Sequence, residues 1–192
     1  MEAFLVSTSI VALAEMGDKT QLLSFVLAAK LRHRVPIVLG ILVATLANHS
    51  LAGGIGAWLA TLVSPHVLRL TIAASFVAFG LWALKPDELE SDRKLGGASV
   101  FVTTLVAFFF VEMGDKTQLA TVALAARYHS LVAVVSGTTL GMMIANVPAV
   151  FMGEALAHRV NMKWMRWAAA ALFVLLGALT LFAGDDALRV GP

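Results

Sequence analysis

Apolar residues fall into six long stretches separated by short polar turns and one longer polar stretch. At roughly 20 residues per membrane crossing, the stretches predict helices over about Phe4–Ala29, Ile37–Val63, Val67–Leu84, Ala98–Ala126, Leu131–Ala157 and Trp164–Ala183. Lys30-Leu31-Arg32-His33-Arg34 forms the first turn and Pro36 opens the next helix. Ser64-Pro65-His66 and Arg127-Tyr128-His129 are short turns, residues 158–163 form another, and Gly184-Asp185-Asp186 ends the last stretch. Trp82, Trp164 and Trp167 lie near stretch ends, where interfacial rings are favoured. The strongly polar run is 85–97 (Asp87, Glu88, Glu90, Asp92, Arg93, Lys94), closing on Gly96-Gly97. The pattern predicts an all-α membrane protein with six transmembrane helices. Residues 1–84 form a first three-helix repeat, 85–97 a polar cytoplasmic linker, and 98–192 a second repeat.

The halves are related at a spacing of ninety-seven. Glu15-Met16-Gly17-Asp18-Lys19-Thr20-Gln21 recurs letter for letter as Glu112-Met113-Gly114-Asp115-Lys116-Thr117-Gln118. Phe4 matches Phe101, Gly40 matches Gly137, Gly56 matches Gly153, and Phe76-Val77 with Gly80 matches Phe173-Val174 with Gly177. Three spans per half is an odd number, so the repeats are expected to be inverted. Loop charges agree. With both termini outside, the inner loops hold Lys30, Arg32, Arg34, Lys85, Arg93, Lys94, Arg159, Lys163 and Arg166, against Arg69, Arg127 and Arg189 outside, as the positive-inside rule requires. The opening Met1-Glu2-Ala3 has no basic region, so no cleavable signal is expected.

Composition narrows the function. Of 192 residues, 59% are hydrophobic and only 14% charged, with mean hydropathy +0.87; soluble domains carry about 25% charged residues. The expected surroundings are lipids, and a homo-oligomer is compatible with this build. A net charge of +2 argues against a nucleic-acid partner, and the absence of cysteine removes disulfides and thiolate metal sites. No nucleophile pair or HExxH pattern points to an enzyme, and no prosthetic group is implied.

The repeated motif puts two carboxylates and an ammonium at mid-span, each costing roughly 2.5–3.5 kcal/mol on insertion scales. On a continuous helix Glu15 and Asp18, three apart, share a face, and Gln21 adds an amide oxygen beside them. Gly17 lowers helix stability by about 1 kcal/mol relative to alanine and is a place for the backbone to loosen. Glu112, Asp115 and Gln118 repeat the arrangement from the opposite direction. Oxygen-only ligands suit Ca²⁺ or Mn²⁺. Four carboxylates against Lys19 and Lys116 leave a charge of minus two, which one divalent cation or two protons would neutralise. Protons and metal are thus expected to compete for the same groups, the physical basis of antiport. The lysines are read either as static ion-pair partners or as pairs that open when metal binds. Thr20 and Thr117 are expected to back-bond to helix carbonyls.

The doubled Glu-x-Gly-Asp-Lys-Thr, at 15–20 and 112–117, resembles the GDT-type calcium/manganese cation–proton exchangers, formerly uncharacterised protein family sixteen. That family includes Golgi exchangers and bacterial manganese exporters of the MneA type. The resemblance covers essentially the whole chain. It implies that Glu15, Asp18, Glu112 and Asp115 line a cation site, that Mn²⁺ or Ca²⁺ is the transported ion with H⁺ as coupling ion, and that the protein is an exporter in a bacterial inner membrane.

Asn48 and Asn146, at a spacing of ninety-eight, are read as a matched mid-depth pair, either lining the site or making interhelical hydrogen bonds worth about 0.6 kcal/mol. His49 is read as a candidate proton shuttle without a histidine counterpart. Pro148 is expected to kink the fifth helix, and the glycines of the second and fifth spans to permit close packing. Glu154 is expected to reach water. The rival readings are an exporter of small organic cations or amino acids, a passive channel, and a non-transporting assembly factor whose clusters are inter-subunit ion pairs.

Overall fold

The computed structural model describes residues 1–85, 99–152 and 162–182. Every regular element among them is helical: α1 (Glu2–Glu15), α2 (Lys19–Leu31), α3 (Arg34–Leu62), α4 (Pro65–Ala83), α5 (Val100–Glu112), α6 (Lys116–Tyr128), α7 (Leu131–Met152) and α8 (Met162–Phe182). The polar run beyond Lys85, together with Gly153, Glu154, Arg159 and Gly184-Asp185-Asp186, lies outside the described residues.

Among the described residues three helices, α3, α4 and α7, are long and apolar enough to cross a membrane. The 29 residues of α3 span about 43 Å at 1.5 Å per residue, against a hydrocarbon core of about 30 Å. Ser64 caps α4 and Pro65 occupies its first turn, where a missing N–H costs nothing. α7 continues through Pro148 to Met152.

The first and fourth apolar stretches depart from the sequence reading. Each was expected to be one helix, and each is broken in two at its motif. Met16 (φ −67°, ψ 114°) and Gly17 (φ 83°) take the dihedrals of a type II turn, which needs positive φ at its third residue. The turn closes through Asp18 N–H to Glu15 C=O at 3.1 Å. Met113 (φ −63°, ψ 119°) and Gly114 (φ 77°) repeat it, with Asp115 N–H to Glu112 C=O at 3.0 Å. The far ends of the half-helices also match: Arg32 and His129 both cap in the left-handed region.

Glycines set the distances between helices. A methyl group on Gly40 would fall 2.7 Å from Thr104 Cβ and 2.9 Å from Phe101 C=O; on Gly137 it would fall 2.5 Å from Phe4 C=O and 3.0 Å from Ser7 Cβ. α3 therefore packs on α5 as α7 packs on α1, with partners ninety-seven residues apart. Two apolar cores result. One joins α1, α4, α6 and α8 around Ile10, Ile72, Phe76, Leu124 and Phe173. The other joins α2, α3, α5 and α7 around Leu27, Ile37, Ile41, Phe108 and Val150. Many large apolar side chains face outward, among them Trp58, Leu81, Phe110 and Trp164, as lipid contact requires and water would not favour.

Candidate cation site

The two breaks lie at the centre of the helices, and their polar side chains are buried. Glu15, Asp18, Glu112 and Asp115 are each at most 2% exposed. Irregular backbone at membrane depth is tolerated only where protein surrounds it. Here glutamine provides part of that enclosure. Gln21 Oε1 accepts from Gly17 N–H at 2.9 Å and Gln118 Oε1 accepts from Gly114 N–H at 2.7 Å. These amide oxygens hold the turns. Their amide nitrogens reach across the bundle, Gln21 Nε2 to Ala145 C=O at 2.9 Å and Gln118 Nε2 to Asn48 Oδ1 at 3.1 Å.

The break also changes how the acids meet. Glu15 ends α1 and Asp18 is the N-cap of α2, so they do not lie on one helical face as the sequence suggested. The tight turn brings them together instead. A helix N-terminus favours the carboxylate at its cap, and Asp115 holds the same place on α6. Oxygens of Glu15, Asp18 and Asp115 all lie within 4.8 Å of one another. Glu112 is not in this group, although it stands close enough to repel Glu15 and Asp115. It accepts from Thr45 Oγ1 at 2.9 Å and from Asn48 Nδ2 at 3.3 Å.

The lysines cross between copies. Lys116 of the second motif donates to Asp18 of the first, and Lys19 of the first lies 2.6 Å from Asp115 of the second. Both pairs form within one chain. The threonines also differ from expectation. Thr20 Oγ1 donates to Glu15, and Thr117 Oγ1 donates to Asp115 Oδ2 at 3.3 Å. They hold carboxylates where back-bonding to the helix was expected; Thr121, one turn on, does back-bond, to Thr117 C=O.

Asn48 and Asn146 are not equivalents. At the packing spacing of ninety-seven, Asn48 corresponds to Ala145, and Asn146 to His49. Asn146 lies off the carboxylates, accepting from Ser24 Oγ at 2.7 Å and donating to Met142 C=O at 3.1 Å. His49 is fully buried and neither ring nitrogen has a hydrogen-bond partner. Thr45 was missed by the sequence reading. Its signal was a hydroxyl one turn before Asn48 in an apolar helix.

The chain matches the family described as "Divalent cation/proton antiporter GDT1" over residues 3–91 and again over 100–187. It belongs to the GDT1 family. This is a family of transporters rather than enzymes, and both motifs fall inside the matched residues. Among GDT1 relatives, a Vibrio cholerae protein named "Putative manganese exporter" is 43% identical over 183 residues, covering 95% of this chain and 92% of the relative. "GDT1-like protein 5" of Arabidopsis thaliana is 26% identical, covering 97% and 98%. "GDT1-like protein sll0615" of Synechocystis is 27% identical, covering 94% and 97%. No solved structure matches the chain.

Proposed function

We propose that this chain exports Mn²⁺, with Ca²⁺ as a further substrate, from a bacterial cytoplasm in exchange for protons. The observation that carries the reading is the meeting of Glu15, Asp18 and Asp115, drawn from both motifs and buried within 4.8 Å of one another. An all-oxygen, anionic cluster suits a hard or borderline divalent cation. A carboxyl group out of water must be neutralised by a cation or a proton. A site built of such groups, with Glu112 beside them, therefore exchanges one for the other. The name and identity of the Vibrio cholerae relative support manganese as the exported ion.

In this reading α1 with α2, α3 and α4 make three spans, and α5 with α6, α7 and α8 make three more in the opposite sense. Two observations support the inversion. Tyr128 Oη at the end of α6 lies 3.3 Å from Glu2 Oε1 at the start of α1, so those half-helices share one end of the bundle. α2 and α5 also touch, with Leu31 at the end of one and Val100 at the start of the other both lying against the second core. Alternating access is the rocking of one half against the other around the paired breaks. α4 lies against α6 and α8 against α1, so each half's last helix packs on a half-helix of the other repeat.

The test is ⁵⁴Mn²⁺ uptake into inverted membrane vesicles. Uptake is expected to require an opposed proton gradient, and Asp18→Asn or Asp115→Asn is expected to abolish it while the protein remains inserted. Uptake that ignores the proton gradient removes the coupling, and normal transport by both variants removes the site.

A further inference from the structure

The two motifs are identical in sequence, but the helices facing them are not. Gly40 of α3 seats on α5 as Gly137 of α7 seats on α1, so positions can be compared by counting from each glycine. Five residues on stand Thr45 in α3 and Met142 in α7; eight residues on stand Asn48 and Ala145. The register holds there too, because Gln118 reaches Asn48 where Gln21 reaches Ala145. Thr45 and Asn48 both donate to Glu112. Met142 and Ala145 have no side-chain donor to offer Glu15. Its hydrogen bond comes from Thr20, within its own motif, and its Oε1 is buried with no hydrogen-bond partner. Glu15, and not Glu112, belongs to the group of three carboxylates within 4.8 Å.

We propose that the two glutamates do unequal work: Glu15 is the ligating glutamate, and Thr45 and Asn48 are positioning residues that hold Glu112 back from the cation. Each carboxylate oxygen committed to a protein donor has one lone pair fewer for a metal, and releasing it breaks that bond. Glu112 then contributes charge at the edge of the site without a ligand oxygen. Met142 is the counterpart that keeps Glu15 free. A hydroxyl there would restrain Glu15 as Thr45 restrains Glu112. This inference rests on the divalent-cation reading above and divides the labour within that same site.

The experiment is Mn²⁺ titration of the purified full chain, read as the rise in melting temperature with metal and converted to an apparent affinity. Glu15→Gln is expected to remove the metal-dependent shift, while Glu112→Gln weakens affinity by no more than about tenfold, a difference of about 1.4 kcal/mol. Met142→Thr shortens a fully buried side chain as well as adding a hydroxyl, so Met142→Val is the control for lost volume. Relative to that control Met142→Thr is expected to weaken affinity by about tenfold, the scale of one added hydrogen bond. Thr45→Val is expected to alter affinity several-fold and Thr45→Ser to restore it, which a merely structural role for residue 45 would not produce. Equal losses in Glu15→Gln and Glu112→Gln, or Met142→Thr affinity equal to that of Met142→Val, overturn the division. A wild-type chain with no Mn²⁺ shift overturns the cation reading itself and the division with it.

Discussion

The ammonium of Lys116 rests on the carboxylate of Asp18, ninety-eight residues earlier in the chain, and both are buried. Its counterpart, Lys19 with Asp115, is less enclosed, with the Lys19 side chain 24% exposed. The two breaks are thereby tied to each other by charge. Removing one partner of a buried pair costs about 3–5 kcal/mol because the other is left uncompensated. Lys116→Met is expected to lower the melting temperature in detergent more than Lys19→Met. The double change Lys116→Met with Asp18→Asn is expected to recover much of that loss without recovering transport. A double variant as unstable as the single one would show that the pair is not what holds the breaks together.

Gly114 has φ of 77°, and a methyl group added there would meet nothing within 4 Å. The cost of a side chain is therefore one of backbone conformation, about 1–2 kcal/mol for the left-handed region. Gly114→Ala is expected to destabilise by that amount and Gly114→Asn by less, since asparagine tolerates this turn position. Thermal melts of the two variants decide it; equal melting would place the cost elsewhere.

Much of this architecture was legible in the chain itself. The doubled motif, its spacing and the apolar runs around it placed the acids at mid-depth, where the structure also buries them. The helix break was only half legible. Glycine inside an apolar run is often tolerated, and the sequence alone does not separate that case from a turn that requires positive φ. For Asn48 and Asn146 the reading of interhelical hydrogen bonds holds, Asn48 to Phe109 C=O and Asn146 with Ser24, but only the packing at Gly40 and Gly137 separates Asn48, beside a carboxylate, from Asn146, away from them. Thr20 and Thr117 were assigned to the helix because threonines in apolar helices usually bond there; the break removed those carbonyl partners and left the carboxylates within reach.

Gly54 and Gly56 sit two residues apart on α3 and should respond oppositely. A methyl group on Gly56 would fall 2.1 Å from Val122 C=O, whereas nothing lies within 4 Å of one on Gly54. Gly56→Ala is expected to cost about 1–3 kcal/mol through overpacking, while Gly54→Ala is neutral or gains up to about 1 kcal/mol of helix propensity. Melting curves of the two single variants are sufficient, and a stable Gly56→Ala protein would contradict the α3–α6 approach described here.

Gln21 satisfies two backbone groups at once, the Gly17 N–H and the Ala145 C=O. Gln21→Leu leaves both without that partner in a buried site, at about 1–3 kcal/mol for each unsatisfied group. Loss of stability is expected with Gln21→Leu. Gln21→Glu keeps the acceptor for Gly17 but buries a further carboxylate against the Ala145 C=O. It is therefore expected to destabilise at least as much as Gln21→Leu while leaving the Gly17 amide better protected from hydrogen exchange. A Gln21→Leu protein as stable as wild type would contradict these bonds.

α4 and α8 meet at Gly80 and Gly177, where an added methyl would lie 3.1 Å from Ala170 C=O and 3.0 Å from Ala73 C=O respectively. Phe173 adds ring contacts at 6.3 Å to Phe76 and 6.0 Å to Phe79. Neither helix can slide along the other without driving a side chain into backbone. The two therefore form a stiff seam joining the two halves of the chain, and any motion of one half against the other has to pivot on that seam rather than shear it.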